Sequence, residues 1–123
     1  MSGNRAEIRR ALAEVWDTQG RKFVTFEPES SSGPQADRWI QFLDGEVNVR
    51  WPLAEDPGTA LPRLRVTLPR GAAVRWWVPN ENALIDTGDA PIDEVVLLIE
   101  ALFARVVAPG EGTRLVGRVD LHG

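Results

Sequence analysis

Two residues, Asp44 and Gly45, constrain this chain more than any others, because they separate a pair of alternating strand-forming runs by the spacing of a two-residue type I′ turn. Both central positions of that turn need positive φ, which Asp-Gly tolerates. The stretch from Asp37 to Trp51 is therefore predicted to be a β-hairpin. With Leu43 facing Glu46, Phe42 pairs with Val47, Ile40 with Val49 and Arg38 with Trp51 on one face, and Gln41 with Asn48 and Trp39 with Arg50 on the other. Phe42, Val47, Ile40, Val49 and Trp51 make a core face. Trp39 is left on the polar face beside the Arg50 guanidinium.

The remaining elements follow from periodicity. Ile8, Leu12, Val15 and Trp16 recur at helical spacing within Asn4 to Thr18, opposite Arg5, Glu7, Arg9, Arg10 and Glu14, and Gln19-Gly20 closes this amphipathic helix. Phe23 to Phe26 reads as a strand, ended by Pro28 and a flexible run from Glu29 to Gln35. After the hairpin, Pro52 to Pro62 reads as a loop. Leu64, Val66 and Leu68 alternate with Arg63, Arg65 and Thr67 as a half-buried strand, and Pro69-Arg70-Gly71 supplies a turn with proline at its second position. A further strand, Ala72 to Val78, sets Ala72, Val74, Trp76 and Val78 on one face and Ala73, Arg75 and Trp77 on the other. Ala83 to Asp86 pairs back onto it after Pro79-Asn80.

A second helix is marked by Asp89 as its cap, Pro91 in its first turn, Asp93 and Glu94 at its positive end, and an apolar stripe of Ile92, Val95, Val96, Ile99, Leu102, Phe103 and Val106. It is predicted to end near Val107, before Pro109-Gly110. Leu97 and Leu98 lie off that stripe, so the helix is either central to a small core or meets another subunit. Leu115 to Leu121 reads as a last strand or a terminal segment. The sum is a single α+β domain over residues 1–123, an antiparallel sheet of about five to six strands flanked by an N-terminal helix and a long apolar helix in the C-terminal half.

Composition narrows the class. A chain of 123 residues has room for one core, and 43% hydrophobic with 26% charged residues is globular usage. The longest apolar run, Val95 to Ile99, is far short of a membrane span, and the polar stretch Met1 to Arg10 is unlike a secretory signal. With no cysteine, the chain has neither disulfides nor thiolate metal ligands, and cytoplasmic residence is expected. A net charge of −4 argues against a nucleic-acid partner. Thirteen of the fourteen cations are arginine, a bias explained by coding composition as readily as by guanidinium chemistry.

No catalytic constellation stands out. The one histidine, His122, is next to the C-terminal residue, a poor place for a general base. A carboxylate metal site would have to gather scattered acids such as Asp44, Glu46, Glu55 and Asp56, whose turn and loop positions explain them as solvated groups. Neither a G-x-G-x-x-G nor a G-K-[ST] phosphate loop occurs. Neither enzymatic activity nor a cofactor is expected.

Five tryptophans without a tyrosine are unusual, and three directly follow arginine: Arg38-Trp39, Arg50-Trp51 and Arg75-Trp76. Neighbours on a strand face opposite ways, so Trp39 shares a face with Arg50, and Trp77 with Arg75. These four residues are the candidate binding face, aromatic and guanidinium groups being the usual protein-binding anchors. The opposing reading is that the tryptophans fill the core. A rival use, stacking on nucleic acid, would need Arg50, Arg63, Arg65 and Arg75 to form one basic patch.

Trp39-Ile40-Gln41-Phe42 with Gly45 and Glu46, then Trp76-Trp77-Val78-Pro79-Asn80, then the helix from Pro91 to Val107, resemble the compact α+β chaperones of type III secretion and the related YbjN-like proteins. The likeness covers about three-quarters of the chain through loose motifs. Those relatives have a helix between the hairpin and the later tryptophan strand, where Leu61 to Leu68 here reads as strand. The resemblance implies a non-enzymatic domain that holds an extended segment of a client protein on its sheet, as a homodimer built on the Pro91 to Val107 helix.

Overall fold

The computed structural model describes residues 3–29, 38–109 and 113–122. In chain order the elements are α1 (Gly3–Val15), β1 (Lys22–Pro28), β2 (Ile40–Leu43), β3 (Glu46–Arg50), α2 (Pro57–Arg63), β4 (Ala73–Val78), β5 (Asn82–Asp86), α3 (Ile92–Leu102) with a widened π-helical turn at Phe103–Val107, and β6 (Leu115–Leu121). The six strands form one antiparallel sheet in the order β4-β5-β3-β2-β1-β6, so the fold is of the α+β class. Most of the run from Glu29 to Gln35 lies outside the described residues. No helix among the described residues is long and apolar enough to cross a membrane.

The β2–β3 hairpin has the register its turn dictates, with Leu43 opposite Glu46, Phe42 opposite Val47 and Ile40 opposite Val49. Asp44 and Gly45 sit at φ of 46° and 81°, as a type I′ turn demands. Thr87 anchors that turn: its backbone amide and its hydroxyl both donate to the Gly45 carbonyl, at 2.9 and 2.7 Å.

One face of the sheet carries Val24, Phe26, Ile40, Phe42, Val47, Val49, Ala83 and Ile85, all buried. Against it pack Ile8, Ala11, Leu12 and Val15 of α1 and Val95, Val96, Leu98, Ile99 and Leu102 of α3, in one hydrophobic cluster. Trp51, at the exit of β3, is fully buried and its indole N–H donates to the Glu55 carbonyl at 2.9 Å. Burying a side chain of that size contributes roughly 1.5–3 kcal/mol. Trp16 extends the cluster by stacking on Phe42, with ring centroids 5.4 Å apart.

Four local expectations need correction. Asp56 accepts from the Gly58 amide at 2.7 Å and caps a helix, α2, that begins at Pro57, within the stretch that reads as a loop. Proline in the first turn costs no hydrogen bond, so the Asp-Pro pair starts a helix that the Pro-Gly composition hides. The predicted Leu64 to Leu68 strand is irregular chain: Arg65 has a φ of 62°, and alternate burial there reflects Val66 dropping into the core. Pro69 opens its turn as first residue, since its carbonyl accepts from Ala72, and Gly71 takes the left-handed position. At α3 the cap position is Pro91, whose carbonyl accepts from Glu94 and Val95, and Asp89 plays no capping role. Leu98 is buried, which leaves Leu97 as the exposed apolar residue of α3.

Candidate functional site

The second hairpin, β4–β5, departs from simple alternation. Ala73 pairs with Asp86 and Val74 with Ile85, but the next pair is Trp76 with Leu84, followed by Trp77 with Ala83 and Val78 with Asn82. Arg75 is an inserted residue, a β-bulge, and every side chain after it is turned to the opposite face. Trp76 therefore points outward with 46% of its surface exposed, whereas Trp77 packs half-buried against the core beside Ala83. The expected division, Trp76 inward and Trp77 outward, is reversed.

Of the four predicted face residues, Trp39, Arg50 and Arg75 stand on the outer side of the sheet and Trp77 on the core side. Trp39 does sit across from Arg50, whose amide donates to the Trp39 carbonyl at 3.0 Å. The Arg50 guanidinium turns to the tip of the β4–β5 hairpin and donates through Nη1 to the carbonyls of Asn80 and Glu81, the latter at 2.8 Å. Its Nε is buried without a partner among the described residues. Arg75 is bound by Asp86, with Nε 3.0 Å from Oδ2. The Gly88 amide, and then Arg75, hold the Asp86 carboxyl below its ordinary range, and Asp86 in return raises the Arg75 guanidinium.

The basic patch that nucleic acid would need is not assembled. Arg50 and Arg75 are on the sheet, whereas Arg63 is paired with Glu55 at 2.6 Å on α2 and Arg65 follows that helix. The acids divide likewise: Asp44 lies in the first turn and Glu46 just after it, Glu55 pairs with Arg63, and Asp56 caps α2. No group of three metal-ligating side chains occurs among the described residues. His122 is exposed, with Nδ1 3.1 Å from the Gly20 carbonyl.

What distinguishes the sheet is the contrast between its two edges. In β6 the ladder to β1 uses the even-numbered residues, as the bonds from Glu29 to Arg114 and from His122 to Arg21 show, so Leu115 and Gly117 turn their amides outward. Those amides are taken by α1. Asn4 Oδ1 accepts from Leu115 at 2.8 Å, Glu7 Oε2 accepts from Gly117 at 2.9 Å, and Arg10 donates to the Gly117 carbonyl at 3.2 Å. The hydrogen bond from Arg10, reinforced by the Gly117 amide, lowers the Glu7 carboxyl against the opposing effect of burial.

The other edge has no such cover. Glu81 O and Thr87 N bond toward β3, so the even-numbered residues of β5 serve β4, and Val74 and Trp77 direct their backbone groups away from the sheet. No described residue bonds them. Beside this edge Trp76 and Val78 are exposed and Leu84 is half-exposed, next to a polar strip where Asn82 donates to Asn48 at 3.0 Å and Gln41 to Thr25 at 3.2 Å. On the core side of Val74 is an apolar cavity of about 350 Å³ formed with α2 and residues 66–68.

Sequence reasoning missed Trp76, Val78 and the open edge. Nothing in the tripeptide Arg75-Trp76-Trp77 announces a bulge, and the edge is defined by which strand lacks a neighbour, a property of the assembled sheet. Comparison with protein-family models, with curated proteins and with solved structures yields no match for this chain.

Proposed function

We propose that this protein is a non-enzymatic, chaperone-like binding domain that takes up an extended segment of a client protein along the free edge of β4, with the outer face of the sheet as its contact surface. The observation that carries the proposal is the asymmetry of the edges: α1 side chains occupy the outward amides of β6, while the outward groups of Val74 and Trp77 have no described partner. An unpaired strand edge is completed by another backbone, and side chains that alternate along the incoming strand supply selectivity. Trp76 and Val78 give the aromatic and apolar contact, with Arg75 and Asp86 in the row beside them and Trp39 and Arg50 further along the face. Trp77, from the core side, supports the strand from below.

Leu97, 49% exposed on α3 next to Ala101, favours self-association through that helix as an accompanying property. Native mass of Leu97→Lys against the wild type reads this out, and equal masses would dismiss it.

The test of client binding is a selection of short linear peptides displayed against the full chain, followed by titration of variants. Trp76→Ser is expected to weaken selected peptides about tenfold or more, and Trp39→Ala to weaken them less. Failure to select any peptide, or unchanged affinity in both variants, overturns the proposal.

A further inference from the structure

The cavity beside Val74 lies where an added strand would need a side-chain pocket. Its wall is Pro57, Leu61 and Pro62 of α2, Val66 and Leu68 of the following chain, and Val74 of β4 itself. Val74 points to the core side, paired with the buried Ile85, and it is one of the two residues whose backbone groups face out of the sheet. A residue hydrogen-bonded opposite Val74 on an incoming strand would have its Cα about 5.5 Å away and its side chain on the same side of the sheet. That is the side on which Val74 lines the cavity. Thr67 and Leu68 are shared with a neighbouring cavity of about 400 Å³ toward α3, which Arg65, Arg70 and Glu94 also line. Neither Arg65 nor Arg70 has an ion-pair partner among the described residues, and two cations against one acid make this second cavity favour a carboxylate.

Resting on the β4-edge reading, we propose that the Val74 cavity is a socket for one bulky apolar side chain of the client strand, and that the Arg65 and Arg70 cavity takes an acidic residue near it. The client motif is thus an extended segment with a leucine, isoleucine or phenylalanine at a fixed position and an aspartate or glutamate close by. Both features are recognised through chemistry the cavities already carry: mostly apolar walls in the first, with Thr67 at the rim its one polar side chain, and guanidinium groups without an ion-pair partner among the described residues in the second.

The peptides selected by display against the full chain supply the probe. They are expected to share one bulky apolar position, and replacing that residue by alanine should cost about tenfold or more in affinity for the wild type. Thr67 is exposed at the rim of both cavities, so Thr67→Trp fills them without disturbing the core, and it should bind the apolar and alanine peptides equally. Val74→Phe fills the same space from the strand and should behave alike. Arg65→Glu with Arg70→Glu should remove the preference for the acidic peptide over its amide counterpart. If selected peptides bind and Trp76→Ser weakens them, yet Thr67→Trp and Val74→Phe keep the wild-type discrimination, the socket is overturned and the edge reading stands. If no peptide is selected, both fall.

Discussion

The two edges of this sheet solve the same problem in opposite ways. At β6 the outward backbone groups are met by Asn4, Glu7 and Arg10, three side chains of α1 spaced to lie along one helix face. At β4 the strand ends the sheet without a polar cover, bent by the Arg75 bulge and flanked by exposed Trp76 and Val78. Bulges and charges on an edge discourage indiscriminate pairing, so β4 is restricted as well as open. The difference is that side chains of α1 meet the outward backbone groups of β6, while no described residue meets those of Val74 and Trp77 on β4.

Gly117 is what lets α1 come close enough to serve as the plug. A Cβ there would lie 2.9 Å from Phe26 Cε1 and 3.0 Å from the Ala11 Cβ, so any side chain pushes the helix off the strand. Gly117→Val is expected to destabilise the fold by about 1–3 kcal/mol, measured by denaturant unfolding, and to speed exchange of the Leu115 amide. A neutral substitution would mean that the plug does not depend on close packing of α1.

Glu7 gives the plug a pH dependence. Its carboxyl is held below the ordinary value of 4.5 by Arg10 and the Gly117 amide, so the folded form binds its proton less readily than the unfolded chain. The stabilisation is fully present above about pH 4.5 and is lost as pH falls below it. Glu7→Gln should cost about 1 kcal/mol at neutral pH and flatten the acid limb of stability against pH. An unchanged acid limb would remove Glu7 from the edge account.

The smallest effect is expected at the open edge. Deleting Arg75 leaves Val74 inward, Trp76 outward and Trp77 inward in plain alternation, so stability should change by less than about 1 kcal/mol. Exchange of the indole N–H groups with solvent, followed by NMR, should remain fast for Trp76 and slow for Trp77. Reversal of the two would show that Arg75 is no bulge.

Legibility in the sequence followed how local each cause is. The β2–β3 register was readable to the residue because the Asp44-Gly45 turn fixes it from within, and α1 and the stripe of α3 were readable from their 3.6-residue period. The β4–β5 hairpin misled because one inserted residue moves every later side chain to the other face, and a run of Arg75, Trp76 and Trp77 fits either phase. Helix α2 was hidden by Pro57, Gly58 and Pro62, although Asp56 before Pro57 was its signal. Of the candidate site, the facing of Trp39 and Arg50 was legible from the turn, but the β4 edge depends on which strand lacks a neighbour and the cover of β6 on contacts between residues 4–10 and 115–117, neither of which a local pattern encodes.

Amide hydrogen exchange of the full chain, free and with a display-selected peptide, tests the central claim most directly. In the free protein the Leu115 and Gly117 amides should exchange slowly and those of Val74 and Trp77 fast, and the peptide should slow Val74 and Trp77 alone. Protection of Val74 and Trp77 without peptide, or peptide-induced protection at β6 instead, would contradict the assignment of β4 as the binding edge.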